Sequence, residues 1–416
     1  MQVQKVKSGH KQVKWHYQKT IQIPEKWVVK KLEDVVTVLD SKRVPLKEST
    51  REIRHGKHPY YGASGIIDYV DDYIFDEKLL CLSEDGENLR SRVSPIAFTI
   101  EGKTWVNNHA HVLRVKTNMS HVFLKYSLNR LSLLRYVASS AQPKLNQKDM
   151  CSITVICPTL SEQEKISSIL SNVDNLISSY DDVIQSTKKL KIGLMQKLLT
   201  KGIGHKKFKK VKWLFGKEIK IPDNWKIVRL EETSKIVDSL HVTPSYSPKG
   251  FPMIRSTEIK SGDLKLDGAF RVSKKIYDQF TNNYSPQKND IVMSRVGTYF
   301  VTSFVNTDER FCMGQNTLVI HPKINSHFLY IFLNSIFLNK QLEFLFDRTS
   351  GQKTMSLANI KKLRIFCPTL SEQEKISSIL QLTHSRIEEF ESKKSHLESL
   401  KKGLMQKLLT GQIRVK

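Results

Sequence analysis

Apolar positions along the chain follow two rhythms. Short unbroken or alternating runs predict strands: Leu79-Leu80-Cys81-Leu82 reads as a buried strand ending in Ser83-Glu84-Asp85-Gly86, and Trp105 to Leu113 alternates apolar with polar residues. Val28-Val29 and Val35 to Leu39 fit a strand or a short helix beside a turn, while His58-Pro59-Tyr60-Tyr61-Gly62 reads as loop. Pro252 to Arg255, Ile291 to Ser294 and Thr317 to Ile320 repeat the strand pattern further on. Helical spacing marks Val122 to Val137 and Leu329 to Leu345.

The longest regular pattern occurs twice. Ile166, Ile169, Val173, Leu176, Tyr180, Val183, Leu190 and Leu194 form a heptad seam with Thr187 as its polar interruption. The second copy carries Ile376, Ile379, Phe390, Leu397, Leu400 and Leu404, with a weaker middle at Thr383, Arg386 and Lys393. Its Leu380 and Ile387 drift towards a 3.6 period. Ser161-x-x-Glu164 and Ser371-x-x-Glu374 have capping-box form, and Gly202 and Gly411 are natural stops. Cys157 through Leu170 recurs letter for letter as Cys367 through Leu380, 210 positions later, and Gly193 through Thr200 returns as Gly403 through Thr410 at the same offset. The residues between have diverged, yet the spacing has not moved. A helix explains this, because one inserted residue rotates everything beyond it by about 100°. Each copy reads as one long helix or two nearly continuous ones; about 39 residues, roughly 58 Å, would expose much apolar surface alone, so antiparallel packing of the copies on each other is expected, with separate helices each packed on its own domain as the alternative.

A second offset, of 198 positions, links Lys14-Trp15 and Ile23-Pro24-Glu25-Lys26-Trp27 to Lys212-Trp213 and Ile221-Pro222-Asp223-Asn224-Trp225. Gly9-His10-Lys11 resembles Gly204-His205-Lys206 after a slip of three. The repeat therefore runs arm, variable domain, long helix. The expected divisions are an arm over 1–22, a domain over 23–156, a helical region over 157–202, an arm over 203–220, a second domain over 221–366 and a second helical region over 367–416. Inside the domains, Ser83-x-x-Gly86 aligns with Ser294-x-x-Gly297, Asn108 with Asn316, and Ser140-Ala141-Gln142 with Ser350-Gly351-Gln352. The fold class expected is mixed α/β (α+β), with two globular domains of one fold joined by two long antiparallel helices in a pseudo-two-fold arrangement. The start of the chain resembles what should follow its end, which predicts neighbouring termini.

Composition adds a partner. The formal net charge is +26 over 416 residues, which favours a polyanion, nucleic acid first, through counterion release and long-range attraction. A membrane surface and a solvated lysine-rich exterior are the alternatives. No run approaches the ~18 apolar residues of a membrane span, and residues 1–20 lack the apolar core of a signal peptide, so a cytoplasmic protein is expected. Five cysteines stand without a C-x-x-C pair, which suits a reducing interior. Phosphate-binding loops, dinucleotide fingerprints and H-E-x-x-H are absent. Asn107, His109 and His111 fit alternating strand residues facing solvent or a ligand groove better than metal ligands, and the pairs Asp71-Asp72 and Glu84-Asp85 are given no acid/base role, because neighbours on a strand point apart. No metal, cofactor or complete active site is expected in this chain.

Taken together, Pro158 to Ile166 and Pro368 to Ile376 in the form Pro-x-Leu-x-Glu-Gln-x-x-Ile, the paired Gly-Leu-Met-Gln-Lys-Leu-Leu-Thr segments, and Ile-Pro-x-x-Trp opening each variable domain carry a resemblance over nearly the whole chain. The sequence resembles the specificity (S) subunit of type I restriction-modification systems. The resemblance implies two target recognition domains, each reading one half of a split site on double-stranded DNA, with the helices setting the spacer between halves. It also implies a non-catalytic chain that serves two modification (adenine methyltransferase) subunits and two restriction (translocase and nuclease) subunits. S-adenosylmethionine, ATP and Mg would belong to those partners. The alternative is a basic structural scaffold that binds nucleic acid or acidic proteins without sequence preference.

Arg, Asn, Gln and Lys suit base-edge or phosphate contacts. Candidates in the first domain are Arg51, Arg54, Lys57, Tyr60, Tyr61, Asn107, His109 and Lys144; in the second, Arg255, Ser256, Ser294, Arg295, Asn316, Gln352 and Lys353. Each also fits an ordinary surface role, and Gln142 and Gln352 also fit turns whose backbone they satisfy. On the helices, exposed Glu162, Gln163, Lys165, Glu372, Gln373 and Lys375 are the candidate partner-docking residues. Their identity in both copies would present one surface to two copies of one partner, although recent duplication explains it equally.

Overall fold

Leu79-Leu80-Cys81-Leu82-Ser83 is the strand on which the first domain is built, and its unbroken apolar character has a simple cause. Leu80 and Leu82 point into one core, Leu79 and Cys81 into another, so both faces are covered. Ile291–Ser294 does the same in the second domain, with Ile291 and Met293 on one side and Val292 on the other. This is a computed structural model, and it describes residues 8–15, 20–137, 142–213, 218–296, 301–346 and 356–415.

The chain divides into two units, residues 1–182 with 391–416, and residues 183–390. Each contains the same parts. An antiparallel hairpin comes first, His10–Lys14 with Thr20–Pro24 in one unit and Phe208–Lys212 with Glu218–Pro222 in the other. The strands that open and close each domain then pair, Val28–Lys31 with Thr154–Cys157 and Lys226–Arg229 with Arg364–Cys367. The main sheet of the first domain has the order Val36–Val38, Ala110–Val115, Leu79–Ser83, Ala97–Ile100. The second repeats it as Ser234–Asp238, Thr317–Pro322, Ile291–Ser294, Thr302–Phe304, with Gly262–Asp263 added at the edge. A smaller sheet in each holds one parallel pair, Trp105 beside Tyr60 and Met253 beside Cys312.

Several expectations change. The hairpins carry the chain from arm into domain without a break, so 22 and 220 fall inside paired strands. His55–Gly62 is a strand, not a loop, even though it contains Pro59. Trp105 to Leu113 divides into Lys103–Val106 and Ala110–Val115, in different sheets, because Asn107 turns the chain by accepting the His109 amide on Oδ1 at 2.8 Å. The helix expected to reach Val137 spans His121–Arg130, and that expected over Leu329 to Leu345 is two helices, Ser326–Leu333 and Ile336–Phe346.

The two long helices run Leu160–Lys201 and Leu370–Leu408. Each starts one residue before the expected capping box: the Gln163 and Gln373 amides donate to the carbonyls of Thr159 and Thr369 at 2.9 and 3.0 Å, which leaves Ser161 and Ser371 inside the first turn. Within the first unit the helix segments are antiparallel in heptad register, since Asp174 meets Lys401 at 2.6 Å and Asp181 meets Lys394 at 2.7 Å. In the second unit the Lys191 Nζ lies 3.2 Å from His384 Nδ1, the pair related to Lys401–Asp174 by the 210-residue repeat. Half of the expected seam is correct. Ile166 and Val173 are buried, but Leu170 and Ile184 fill the second line in place of Ile169 and Val183. Leu176, Val183 and Leu190 instead stand 51, 42 and 57% exposed. Both i+3 and i+4 positions are apolar here, so the sequence admits either line and tertiary packing selects one.

Candidate nucleic-acid interface

At one end of the first domain's main sheet four chain segments meet. Glu84 follows the central strand and donates its amide to the His109 carbonyl at 2.9 Å, while its own carbonyl accepts the Leu145 amide at 2.7 Å. Asp40 follows the edge strand and accepts the Val112 amide on Oδ1 at 2.8 Å. Arg43 bridges the carboxylates, with Nη1 2.6 Å from Glu84 Oε2 and Nη2 3.5 Å from Asp40 Oδ2. On the solvent side Lys144 lies 3.3 Å from Glu84 Oε1, and His109 lies 2.8 Å from Asp85, each about half exposed. Buried charges of this kind persist because each is paired and hydrogen-bonded.

Asp40, Glu84 and His111 lie close enough to suggest a metal site. The geometry argues otherwise. His111 is buried, with Nδ1 2.6 Å from Asp40 Oδ2 and Nε2 2.8 Å from the Leu145 carbonyl, so both ring nitrogens are already engaged inside the protein. The Arg43 guanidinium already supplies the positive charge. His111 is thus an internal brace, not a residue facing a groove.

The second domain builds the corresponding corner from different charges. Arg295 follows the central strand and donates its amide to the Asn316 carbonyl at 2.8 Å. Asp238 ends the edge strand and holds Arg295, with His241 Nε2 3.3 Å from Asp238 and 3.4 Å from the guanidinium. Asn316 sits at φ +59°, a left-handed turn that asparagine tolerates.

Other candidates are placed as follows. Arg51 is held by Asp68 at 2.8 Å and lies 5.2 Å over the Tyr60 ring, and Arg54 is held by Asp71 at 2.8 Å. The Arg51 guanidinium hydrogen-bonded to Asp68 keeps that carboxyl below its usual range. Arg255 is held by Glu258 at 2.6 Å and lies 4.2 Å over the Phe270 ring. Tyr61 stacks on Phe98, and burial pushes its phenol up. Lys57 is exposed and Ser256 half-buried. Tyr60, Asn107, Ser294 and Arg295 are buried, contrary to expectation. Tyr60 Oη accepts the Leu46 amide at 2.9 Å, and Ser294 Oγ donates to the Val296 carbonyl at 2.8 Å. Gln352 and Lys353 lie outside the described residues. Asp40, Arg43, Asp238 and His241 were missed, though the 198-residue offset carries Asp40 onto Asp238 and Arg43 onto His241.

The helix residues also need correction. Glu162, Gln163 and Gln373 are buried, and Glu372 is nearly so; only Lys165 and Lys375 of the six are exposed. Glu162 accepts from Trp27 Nε1 at 2.9 Å and from Arg414, and Gln163 accepts the Ser120 amide at 2.8 Å while donating to the Pro158 carbonyl at 3.0 Å. Glu372 accepts from Trp225 Nε1 at 2.9 Å, from the Ile203 amide at 2.9 Å and from His205 at 2.8 Å; Gln373 accepts the Asn325 amide at 3.0 Å and donates to Pro368 at 2.9 Å. The duplicated letters therefore carry an internal joint between domain and helix.

Two domains of one fold, each with its own polar corner, and two long helices define a duplicated recognition module. The chain belongs to the type I restriction modification DNA specificity family, whose domain matches twice, over residues 24–186 and 222–399. It is 28% identical over 426 residues to the type I restriction enzyme MjaVIII specificity subunit of Methanocaldococcus jannaschii, covering 95% of each chain. It is 26% identical over 369 residues to the putative type I restriction enzyme specificity subunit S.HindORF215P of Haemophilus influenzae, covering 84% of this chain and 86% of that one. The fold matches the crystal structure of a type I restriction-modification S subunit from M. genitalium with a TM-score of 0.58, at 13% identity, over 92% of this chain and 96% of that one. The chain is a DNA specificity subunit of the type I class.

Proposed function

We propose that the two domains each read one half of a bipartite site on double-stranded DNA, and that the chain directs chemistry carried by other subunits without performing it. The observation that carries this reading is the duplication itself: one scaffold twice, with polar corners that differ in charge. Two modification subunits bring S-adenosylmethionine, and two restriction subunits bring ATP and Mg, to a cytoplasmic assembly. The exposed apolar residues Val183 and Leu190, seven apart on the first long helix, offer docking area for a modification subunit, and Lys165 and Lys375 are exposed at the start of each helix. Exposed Lys57, His109 and Lys144 and half-buried Arg51, Arg54, Tyr61, Arg255, Ser256 and Asn316 remain the proposed DNA-facing set. Lysine contacts to phosphate make binding fall steeply with salt.

Comparing the methylome of cells that carry an active modification subunit, with and without this gene, tests the reading. A bipartite motif methylated only when the gene is present is expected. An unchanged methylome overturns it, and equal binding of selected and random duplexes by the purified chain returns the scaffold alternative.

A further inference from the structure

The two domains can be superposed residue by residue from their strand registers. Ser83 pairs with Ala110 as Ser294 pairs with Thr317, and Leu113 pairs with Val38 as Ile320 pairs with Ile236. Glu84 therefore occupies the place of Arg295, His109 and not the expected Asn108 that of Asn316, and Asp40 that of Asp238; the offset of 198 then sets Arg43 against His241. The amide bonds agree, since the residue after each central strand donates to the carbonyl just before the neighbouring strand, at 2.9 Å in one domain and 2.8 Å in the other. The amide bond of this corner is kept, although Asn316 is left-handed and His109 is not, while the charge at one position is inverted.

The inversion changes what reaches solvent. With a carboxylate at 84, the corner recruits outside cations: Arg43 from below and Lys144 from the solvent side, the latter 56% exposed. With a guanidinium at 295, the position itself pairs with Asp238 Oδ2, and the exposed group is the His241 imidazole, 59% exposed. We infer that this strand-end corner is a base-reading seat in both domains, with Glu84 and Arg295 the positioning residues that make the half-sites differ. Lys144 is the reading group in the first domain and His241 in the second. The inference rests on the DNA-reading function proposed above. An ammonium on a carboxylate presents only donors, which match the O6 and N7 acceptors of guanine in the major groove. The first half-site therefore contains a guanine position that depends on Lys144. An imidazole presents one donor and one acceptor when neutral, so the second seat selects a different edge.

Methylomes of cells that carry the modification subunit with the wild-type chain, Lys144→Ala, His241→Ala, Glu84→Gln or Arg295→Gln test this. Lys144→Ala and Glu84→Gln should relax one guanine position of the first half-site by about tenfold or more, leaving the second half-site and the spacer unchanged. His241→Ala and Arg295→Gln should relax one position of the second alone. Lys144 and His241 are exposed, so their variants should melt as the wild type does. Unchanged motifs in those two variants overturn the inference, as does loss of methylation at every site by a chain that still folds. A wild-type chain without a bipartite motif overturns the proposed function itself.

Discussion

Glu162 and Gln163 show how much a single residue's role depends on what lies beside it. Both occur in a polar stretch at a helix start, where solvent exposure is the ordinary outcome. Their carboxylate and amide are instead consumed by Trp27, Arg414, Ser120 and Pro158. Gln163→Ala and Gln373→Ala should each strand a buried amide and a carbonyl, costing about 1–3 kcal/mol per unpaired group. Urea denaturation should show a lower midpoint, and hydrogen exchange should localise the loss to Ser120 in one variant and Asn325 in the other. Surface ion pairs carry less. The Arg114 guanidinium hydrogen-bonded to Glu77 at 2.6 and 2.7 Å holds that carboxyl below its ordinary value of 4.5. A depressed carboxylate contributes stability above its unfolded pKa and loses it as pH falls through the folded one. Glu77→Gln should therefore flatten the decline in stability as pH falls below the ordinary value of 4.5, as read by denaturation at a series of pH values. The pair is partly exposed, so solvent screening keeps the change small.

At the scale of elements, the long helices were legible because their pattern is local and repeated. Their phase was not, since Ile169 and Leu170, Leu176 and Ile177, and Val183 and Ile184 offer two adjacent apolar lines. The glycines separate the two kinds of constraint. Gly202 and Gly411 have φ of +60° and +72°; a Cβ on Gly411 would stand 2.4 Å from Pro24 Cδ, and one on Gly202 2.8 Å from Trp225. Gly193 and Gly403 lie within the helices with nothing within 4 Å of such a Cβ. Gly202→Ala and Gly411→Ala should each cost about 2 kcal/mol or more. Gly193→Ala and Gly403→Ala should each gain about 0.5–1 kcal/mol. Thermal melting of the four variants checks the opposed signs.

At the scale of the whole molecule, the repeat is permuted. The second unit is one continuous stretch, whereas the first is assembled from both ends of the chain. Arg414, just past the second helix, serves Glu162 as His205, just past the first, serves Glu372. Leu408 and Leu409 complete the first core as Leu198 and Leu199 complete the second. Arg414→Ala should therefore loosen the first unit alone. Hydrogen exchange should quicken around Trp27 and stay unchanged around Trp225, and equal loosening of both would contradict this joint.

The sequence by itself determined the two-fold plan, the existence and length of the long helices, and the buried central strands. Each of these rests on spacing within a few residues or on identity between copies. The family resemblance followed from the same repeated motifs. Only the tertiary structure decided which apolar line of each helix faces inward, that the duplicated Glu and Gln are internal, and that Tyr60, Ser294 and Arg295 are buried. It alone joined Arg43 to Glu84 across 41 positions of chain and His111 to Asp40 across 71. Such contacts leave no periodic trace, because folding, not spacing, brings them together.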